Sequence, residues 1–468
     1  MNAVPDPAPA AVDGAASSST VATRPLTGFG RIHPSLAHVL RPQRRGQLLT
    51  ALAQSEGAVL ARGYGRAYGD AAQIDGGTVF DMTRLDRLLD FDPASGILIC
   101  EAGAKLSDID RIFAAHGFAL PVVPGTGMVS LGGAIAADIH GKNHDSAGSF
   151  GDYVEWLDLL AADGTVHRLS PQQDDEAFVA TIGGMGLTGI ILQAAIRLAP
   201  VPSGFIQCRE RRLTDLDAML TAIAGIRDTA TYSVAWIDAL ARGKNLGRGV
   251  LQLGEAVPAD LIAGLRRRAA KAARRVPFDL PRLSPLKTGV RLYNKLHLAR
   301  VPAAGRTRIL PRHTFLHPLD ALSDWQKLYG TRGFVQFQCV VADDLAQPCL
   351  RKLLETVSHS RPGALLGVLK TMGREGRGLL SFAKRGHSLA LDIPWRSGTP
   401  KLLAELERIA LDCGGRVYLA KDSALSANGF AAMYPQHERF VSVLQRLDPA
   451  ARFQSDLARR LGLRAYAP

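Results

Sequence analysis

The alternation of apolar and polar positions along the chain predicts short strands interleaved with amphipathic helices. Runs with strand character, each bounded by glycine, occur at residues 57–63, 77–83 and 96–103. Residues 106–117 carry apolar side chains at helical spacing, which predicts a helix with Ser107 at its N-cap and Gly117 at its C-terminal end. Two strand-like segments flank Asp163-Gly164, and this pattern predicts a β-hairpin over residues 154–170.

The same pattern divides the chain into two lobes. The second lobe mixes helices with strand-like runs at 232–240, 334–342 and 388–395, and one more strand-like run at 416–420 precedes the C-terminal helical segments. We therefore predict an α+β architecture in which the chain returns to the first lobe at its C-terminal end. The predicted boundaries are 1–25 for a disordered tail, 26–200 for the first domain, 201–412 for the second and 413–468 for the return.

Composition narrows the setting of the protein. A chain of 468 residues is too long for one compact core. Its five cysteines are odd in number and never form a Cys-x-x-Cys pair, which argues against a disulfide framework or a metal site and fits a reducing compartment. Residues 1–25 lack the basic and apolar regions of a signal peptide, and no apolar run is long enough for a transmembrane helix. We expect a cytoplasmic protein or one that is peripheral at the inner membrane.

The positive charge is concentrated in one segment. The net charge is +13, and residues 266–312 hold fourteen Lys and Arg against a single acid, Asp279. Nucleic acid is not the expected partner, because aromatic residues are sparse there and no nucleic-acid motif accompanies the charge. Apolar residues alternate with cations around Arg266, Arg267 and Arg268, which favours peripheral contact with an anionic lipid surface or a phosphorylated lipid. A solvated basic helix and loop is the alternative.

Three glycine-rich segments suggest an extended cofactor. Gly63, Gly65 and Gly69 follow a strand and allow successive backbone N–H groups to face an anion, as in a phosphate-binding nest. Gly184–Gly189 matches the letters GxGxxG, but a predicted helix precedes it and a strand follows, which is the reverse of a Rossmann motif. A third segment runs from Pro124 to Gly133. The pyrophosphate, ribityl and ring parts of a flavin dinucleotide would each need a separate contact of this kind.

The segment IAADIHGKNHDSAGSFG, residues 135–151, is unusually polar for a surface loop. It holds two histidines, two aspartates, two serines, a lysine and an asparagine. Such a density of hydrogen-bonding groups is typical of a pocket that holds a polar cofactor beside a polar substrate.

Together these segments resemble the decaprenylphosphoryl-β-D-ribose 2-oxidase family. The matching motifs are ARGYGRAYGDAAQ, PGTGMVSLGGAIAADIHGKNHDSAGSFG, TIGGMGLTGII, FLHPLD and YLAKDS, and the similarity covers nearly the whole chain. The resemblance implies a fold of the vanillyl-alcohol-oxidase type, with a two-lobed PCMH-type FAD-binding domain and a substrate (cap) domain built on an antiparallel sheet. It also implies non-covalent FAD, since residues 61–71 offer no histidine for attachment.

The resemblance implies that FAD contacts several segments. Residues 61–71 would hold the pyrophosphate, residues 125 and 130–133 would line the ribityl chain and flavin, and residues 137–140 would run beside the ring. The implied cofactor-binding residues are Ala61, Arg62, Gly63, Tyr64, Gly65, Arg66, Ala67, Tyr68, Gly69, Asp70, Ala71, Gly125, Ser130, Leu131, Gly132, Gly133, Ala137, Asp138, Ile139, His140, Ile191 and Tyr418.

Oxidation of an alcohol needs a base or a cation near the hydroxyl oxygen while hydride leaves for the flavin. The resemblance implies that Lys421 is the essential active-site lysine and His140 the active-site histidine. The implied substrate-binding residues are Lys370, Gln338, Asp392, Ser388, Ala390 and Trp236. Structural roles are the alternatives: a loop hydrogen bond for His140, an ion pair with a cation such as Lys421 for Asp392, and core packing for Trp236.

Three pocket positions depart from the family pattern. Ala390 stands where mycobacterial members have cysteine, Ser388 where they have asparagine, and Leu316 where they have tyrosine. A small residue is kept at position 390, so turnover need not suffer, but we expect any chemistry or inhibition that relies on the thiol to be absent. The substitutions alter the wall of the pocket, and with it the choice of sugar or lipid.

The resemblance implies oxidation of the ribose 2′-hydroxyl of a polyprenyl-phosphoryl-β-D-ribose to the 2′-keto form. This is the first half of an epimerisation to the arabinose donor for arabinan in the cell wall, and a separate NADH-dependent short-chain reductase would act on the keto product. A soluble alditol or aldonolactone oxidase is one alternative. A non-catalytic protein that binds anionic polymers through residues 266–312 is another, but it leaves the glycine-rich segments unexplained.

Overall fold

The computed structural model describes residues 22–227, 229–262, 273–281 and 286–464. The first 21 residues of the predicted tail lie outside the described residues. So do five cations of the basic segment, namely Arg266, Arg267, Arg268, Lys271 and Arg282. Residues 22–25, predicted as tail, are instead part of a strand that pairs with its successor in the chain.

Two sheets build the first lobe, and the smaller one is mostly parallel. Its strands are β1 (Ala22–Leu26), β2 (Ser35–Leu40), β3 (Val59–Arg62) and β4 (Thr78–Asp81). They lie in the order β1-β2-β4-β3, and β2, β4 and β3 run parallel because helix α1 (Arg45–Gln54) crosses over between β2 and β3. Leu48 and Leu52 of α1 pack against Val59 and Phe80 of this sheet.

The larger sheet of the first lobe is antiparallel. Its strands are β5 (Leu88–Asp92), β6 (Ile97–Glu101), β8 (Val154–Leu160), β9 (Val166–Leu169) and β10 (Ile190–Arg197), in the order β5-β6-β10-β8-β9. Strands β8 and β9 form a hairpin at the predicted place, and Gly164 in its turn has a φ of +88°. Two-residue strands β7 (Phe118–Ala119) and β11 (Ala199–Pro200) pair beside this sheet.

Short helices connect these strands. They are α2 (Leu106–Phe113), α3 (Leu131–Ala136), α4 (His144–Ala147) and α5 (Asp175–Thr181). The predicted N-cap at Ser107 is wrong, because Lys105 occupies the cap of α2. The N–H groups of Leu106 and Ser107 donate to the carbonyls of Val129 and Gly127, so the first turn is satisfied without a capping side chain. The GxGxxG letters lie between α5 and β10, in the predicted helix-to-strand order.

An eight-stranded antiparallel sheet forms the second lobe. Its strands are β12 (Phe205–Leu213), β13 (Tyr232–Ile237), β14 (Gly249–Ala256), β16 (Arg306–Pro311), β18 (Phe334–Val341), β19 (Leu366–Met372), β20 (Gly386–Pro394) and β21 (Arg416–Val417). Their order is β16-β12-β14-β13-β19-β20-β18-β21. Two-residue strands β15 (Arg274–Arg275) and β17 (Leu322–Ser323) pair separately. Strand β21 lies in the segment predicted to return to the first lobe, yet it completes this sheet by pairing with β18.

The two faces of this sheet differ in chemistry because side chains alternate along each strand. Cys339, Leu369, Leu389 and Leu391 point to one face and are buried in the main core. The other face carries polar side chains that the pairing register brings side by side. These neighbours are Gln336 opposite Asp392, Gln338 opposite Ala390, and Lys370 opposite Ser388.

After β12, the described residues form eight α-helices. They are α6 (Leu216–Ala224), α7 (Leu286–Ala299), α8 (Arg312–Leu316), α9 (Ala346–His359), α10 (Thr399–Asp412), α11 (Ala427–Met433), α12 (His437–Leu447) and α13 (Asp456–Leu461). Helices α6, α9 and α10 cover the apolar face of the sheet. Helix α7 packs on the opposite face through Leu298 and the ring of Trp236.

The C-terminal segment also contacts the first lobe. Val59 of β3 donates its N–H to the carbonyl of Arg452 at 2.7 Å and accepts from the N–H of Gln454 at 3.1 Å. The domain boundaries themselves stay predictions. Within the described ranges no helix combines the length and the apolar composition needed to cross a bilayer.

Candidate active site

The polar bend at residues 135–151 folds back on itself after α3. Asp138 has a φ of +38°, and its carboxylate accepts from the N–H of Gly151 and the hydroxyl of Ser381. Asn143 donates to the carbonyl of Pro121, and His144 accepts from the N–H of Gly373. Most polar groups of the bend therefore hold the bend in place rather than facing a ligand.

His140 is the exception, since it lies at the centre of a cluster on the polar face of the sheet. Its Nδ1 contacts Nζ of Lys370, and its Nε2 lies 3.1 Å from Nε2 of Gln338. Gln338 also donates to the hydroxyl of Ser388 at 3.0 Å, and Lys370 donates to the carbonyl of Gly141 at 2.9 Å. Burial and the charge of Lys370 hold the pKa of His140 well below its usual value, so the imidazole is neutral at physiological pH.

Lys421 lies on a turn that follows β21. Its Nζ is 3.9 Å from the centroid of the Tyr68 ring, so Tyr68 contributes a cation–π contact. Burial lowers the pKa of Lys421 to about 8, against the opposing effect of Asp392. Burial also lowers the pKa of Lys370 to about 7, and repulsion from Lys421 and Lys142 adds to this.

Asp392 is wholly buried on the same face. Its Oδ1 accepts from Nε2 of Gln336, and its Oδ2 has no hydrogen-bond partner in the described part of the chain. Burial raises the pKa of Asp392 to about 6. The expected ion pair with Lys421 does not form within the described ranges, where Gln336 and the hydroxyl of Tyr329 interact with the carboxyl group of Asp392 and Lys421 acts only through its charge.

The other predicted substrate residues lie around this cluster. Ala390 is opposite Gln338 in the register of β18 and β20. Trp236 is on the same face but packs against His297 of α7, with ring centroids 4.7 Å apart. Leu316 is buried in the main core. The structure therefore brings Lys370, Gln338 and Ser388 to His140 and leaves Trp236 at the side of α7.

Residues 61–71, here called the cofactor loop, connect β3 to a short 3₁₀ turn. The side chain of Arg62 is engaged by residues that flank the loop, because it donates to the carbonyls of Thr27 and Ala72. Arg66 lies over the ring of Phe29, and its buried Nε has no partner among the described residues. Gly69 is packed so tightly that an added Cβ would lie 1.8 Å from the carbonyl oxygen of Asp422.

The remaining predicted cofactor residues lie near the bend. The hydroxyl of Tyr418 donates to the carbonyl of Ala137 at 2.8 Å, and its ring stacks on Phe382 with centroids 4.6 Å apart. Ser130 caps α3 by accepting from the N–H of Gly133. Ile191 is buried in β10, whereas a Cβ at Gly125 would meet open space.

Sequence reasoning missed several residues beside the predicted ones. Lys142 is half-buried, donates to the carbonyl of Phe315, and has its pKa lowered to about 8 by desolvation. Gln336 escaped notice although it alternates with Gln338 in β18, a spacing that places both on one face. The segment 373–378 has three glycines that follow β19 and meet the polar bend, and this cluster was a usable signal.

Comparison with known proteins identifies the family. The sequence model of the FAD binding domain matches residues 37–170, and that of D-arabinono-1,4-lactone oxidase matches residues 387–461. Decaprenylphosphoryl-β-D-ribose oxidase of Mycolicibacterium smegmatis is 36% identical over 459 residues, covering 94% of this chain and 98% of that protein. The chain belongs to the decaprenylphosphoryl-β-D-ribose oxidase family.

Two more distant relatives are named for activity on a lactone and on alditols. L-gulono-1,4-lactone dehydrogenase of Mycobacterium tuberculosis is 23% identical over 90% of this chain and 95% of that protein. Alditol oxidase of a Streptomyces species is 23% identical over 92% of this chain and 97% of that protein. The two family models and the 36% identical relative confirm the predicted α+β fold, the FAD cofactor and the oxidoreductase class.

The residues of this family member fit FAD. Arg66 offers a buried N–H group without a partner, and the hydroxyl of Ser423 beside Gly69 is likewise unpartnered among the described residues. Both lie at the cofactor loop, where an anionic pyrophosphate would supply the missing acceptors.

Proposed function

We propose that this FAD-dependent oxidoreductase oxidises the ribose 2′-hydroxyl of a polyprenyl-phosphoryl-β-D-ribose to the 2′-keto form. One observation carries the proposal: Lys370 and Lys421 face the polar surface of the sheet, and Lys142 is near enough for its charge to affect Lys370. Repulsion between these lysine ammonium groups is costly in a buried site, and a bound anionic group offsets it. A substrate with a phosphoryl group supplies that anion, whereas a neutral alditol or lactone does not.

Lys421 is proposed to accept the proton of the hydroxyl group. Its pKa of about 8 leaves part of the amine uncharged near neutral pH, which suits a general base. When bound, FAD takes up the hydride from the carbon that bears this hydroxyl. The electron pair of the C–H bond leaves with the hydride, the proton goes to Lys421, and the electron pair of the O–H bond stays on oxygen and forms the second bond of C=O.

Lys370 and Asp392 are proposed to hold the sugar phosphate in place. The ammonium of Lys370 directs one N–H group to Nδ1 of His140 and another to the carbonyl of Gly141. Its third N–H group is then available for a phosphate oxygen. The unpartnered Oδ2 of Asp392 is an acceptor for a second sugar hydroxyl. His140, Gln338 and Ser388 fix the position of Lys370, while Ala390 widens the wall and Trp236 borders the site at α7.

The cofactor-binding roles given above for residues 61–71, 125, 130–133, 137–140, 191 and 418 belong to the same proposal, with FAD bound non-covalently. The keto product would pass to a separate NADH-dependent short-chain reductase. Helix α7 is proposed as the contact with an anionic membrane surface that carries the lipid substrate. It exposes Leu292, Tyr293 and Leu296 with Arg291 and Lys295 beside them, a combination typical of interfacial helices.

The direct test is anaerobic reduction of the bound flavin. Purified protein is mixed with a short-chain prenyl-phosphoryl ribose, and bleaching of the flavin absorbance is followed together with formation of the keto sugar. Stoichiometric bleaching supports the proposal. No bleaching by this compound, with bleaching by a free sugar, would contradict it.

The alternative is an alditol or aldonolactone oxidase. The match of residues 387–461 to the D-arabinono-1,4-lactone oxidase model favours it, because this stretch contains Asp392 and Lys421. The same assay distinguishes the two functions when alditols, aldonolactones and ribose 5-phosphate are compared with the prenyl-phosphoryl sugar. Faster bleaching by a neutral polyol than by either phosphate would establish the alternative.

A further inference from the structure

Arg460 on the C-terminal helix α13 forms a bridge of ion pairs to Asp70 and Asp422. Arg460 donates from Nε and Nη2 to the two carboxylate oxygens of Asp70, each at 2.8 Å. The same Nη2 donates to Oδ2 of Asp422 at 2.8 Å, and Nη1 donates to the carbonyl of Leu425 at 2.6 Å. Only 4% of the Asp422 side chain and 25% of that of Arg460 are exposed.

The bridge links the cofactor loop to the segment that carries Lys421. This segment, residues 418–425, is here called the Lys421 turn, because the N–H groups of Lys421 and Asp422 both donate to the carbonyl of Tyr418. Oδ1 of Asp422 accepts from the N–H groups of Ala424 and Leu425 and so shapes the rest of the turn. Asp70 lies near the end of the cofactor loop, where a 3₁₀ turn begins. It follows by two residues Tyr68, whose ring contacts the Nζ of Lys421.

Backbone contacts show how closely the two segments are matched. Tyr68 donates its N–H to the carbonyl of Ala420 at 3.0 Å. Gly69 lies against the carbonyl of Asp422 with no room for a Cβ atom. A small displacement of either segment would therefore move Lys421 relative to Tyr68 and to the cofactor loop at the same time.

We propose that Arg460 is a positioning residue that holds the Lys421 turn in register with the cofactor loop. It acts through two carboxylates, that of Asp70 in the cofactor loop and that of Asp422 in the Lys421 turn. The inference rests on the proposed role of Lys421 and assigns to the C-terminal helix a part in setting its position. It also gives a reason for the return of the chain to the first lobe after the second lobe is complete.

Arginine is suited to this position in a way that lysine is not. Its planar guanidinium binds both oxygens of Asp70 while a further N–H reaches Asp422, whereas an ammonium is a single point charge without this fork. Although burial disfavours its charge, the carboxylates of Asp422 and Asp70 raise the pKa of Arg460 above its ordinary value. Arg460→Lys therefore keeps the charge between the two acids and removes the geometry.

The test compares Arg460→Lys with Arg439→Lys as full-length holoenzymes. Arg439 is an exposed arginine on α12 that pairs with Glu176, so its variant controls for the loss of a guanidinium elsewhere. We expect Arg460→Lys to fold, to lose FAD more readily, and to turn over about a hundredfold more slowly, because small displacements of reacting groups have effects of this size. The visible circular dichroism of the bound flavin should change, and KM should change less than kcat.

Asp422→Asn is the second variant, because it removes the link to the Lys421 turn while Arg460 keeps its bond to Asp70. It should reproduce the loss of turnover with a smaller effect on FAD affinity. Wild-type FAD affinity, flavin dichroism and turnover in Arg460→Lys would overturn the positioning role. If the proposed substrate is wrong, the wild-type protein fails to oxidise it, but the changes in FAD affinity and dichroism of Arg460→Lys remain measurable.

Discussion

At the scale of single residues, the charge state of Lys421 decides the pH dependence of the reaction. Burial lowers its pKa to about 8. Below this pH the side chain is an ammonium that cannot accept the hydroxyl proton, and above it the amine is free. We predict that the rate of flavin reduction under saturating substrate rises with pH and levels off above about pH 8. Lys421→Met should lose the pH-dependent step and about 10²–10⁴-fold in rate, while it retains FAD.

Asp392→Asn is the control for this assignment. Asp392 raises the pKa of Lys421 through its negative charge, so the neutral amide should move the midpoint of the pH profile to lower values. An unchanged midpoint in Asp392→Asn would show that the titrating group is not Lys421. A profile that falls with increasing pH in the wild type would show that Lys421 acts as a cation rather than as a base.

The sequence predicted the composition of the pocket better than the direction of its side chains. The polar bend drew attention to its whole set of hydrogen-bonding residues, but the side chains of Asn143 and His144 turn out to stabilise the bend, whereas that of His140 contacts Gln338 of the sheet. Side-chain direction depends on turns such as the one at Asp138, where a positive φ reverses the chain. Residue type and spacing do not encode this reversal.

At the scale of elements, the alternation of polar and apolar side chains along β18 and β20 could be predicted from the sequence. Which strands pair with each of them could not. Gln338 and Ser388 become partners because β18 pairs with β20, which is encoded 50 residues further along the chain. The resemblance to a known family supplied these residues before any pairing was visible. The N-cap of α2 failed for a related reason, since contacts with the segment 127–129 replace the cap.

Helix α7 gives a prediction at the same scale. One side of it is attached to the sheet through Asn294, which donates to Asp238 at 2.7 Å, and through His297 on Trp236. The other side exposes 59% of Leu292 and 52% of Leu296. Burying a leucine is worth about 1.5–3 kcal/mol, so the double variant Leu292→Ser/Leu296→Ser should bind anionic vesicles at least about tenfold more weakly.

Vesicle flotation with and without anionic lipid measures this effect. Leu411→Ser is the matched control, since Leu411 is an exposed leucine on α10 at a different surface. Turnover of a short-chain substrate in detergent-free buffer should be the same in all three proteins. Equal vesicle binding by the α7 variant and the control would remove α7 from the proposed membrane contact.

At the scale of the whole molecule, FAD binding should stabilise the association of the two lobes. The cofactor loop belongs to the first lobe, but Tyr68 packs on Phe334 of the second and bonds to Ala420. A ligand that binds only the folded state adds about 2.7 kcal/mol at a hundred times its dissociation constant. We predict that the unfolding temperature rises with added FAD, and that FMN or AMP, which each span part of the site, raises it less.

This prediction also tests the non-covalent attachment of FAD. The cofactor loop contains no histidine or cysteine, so acid precipitation should leave the flavin in the supernatant. Protein stripped of FAD should then regain its unfolding temperature when FAD is restored. Flavin retained in the pellet would place a covalent link elsewhere in the chain. An unfolding temperature independent of FAD would mean that FAD does not bind the folded protein in preference to the unfolded chain, and would contradict the proposed cofactor site.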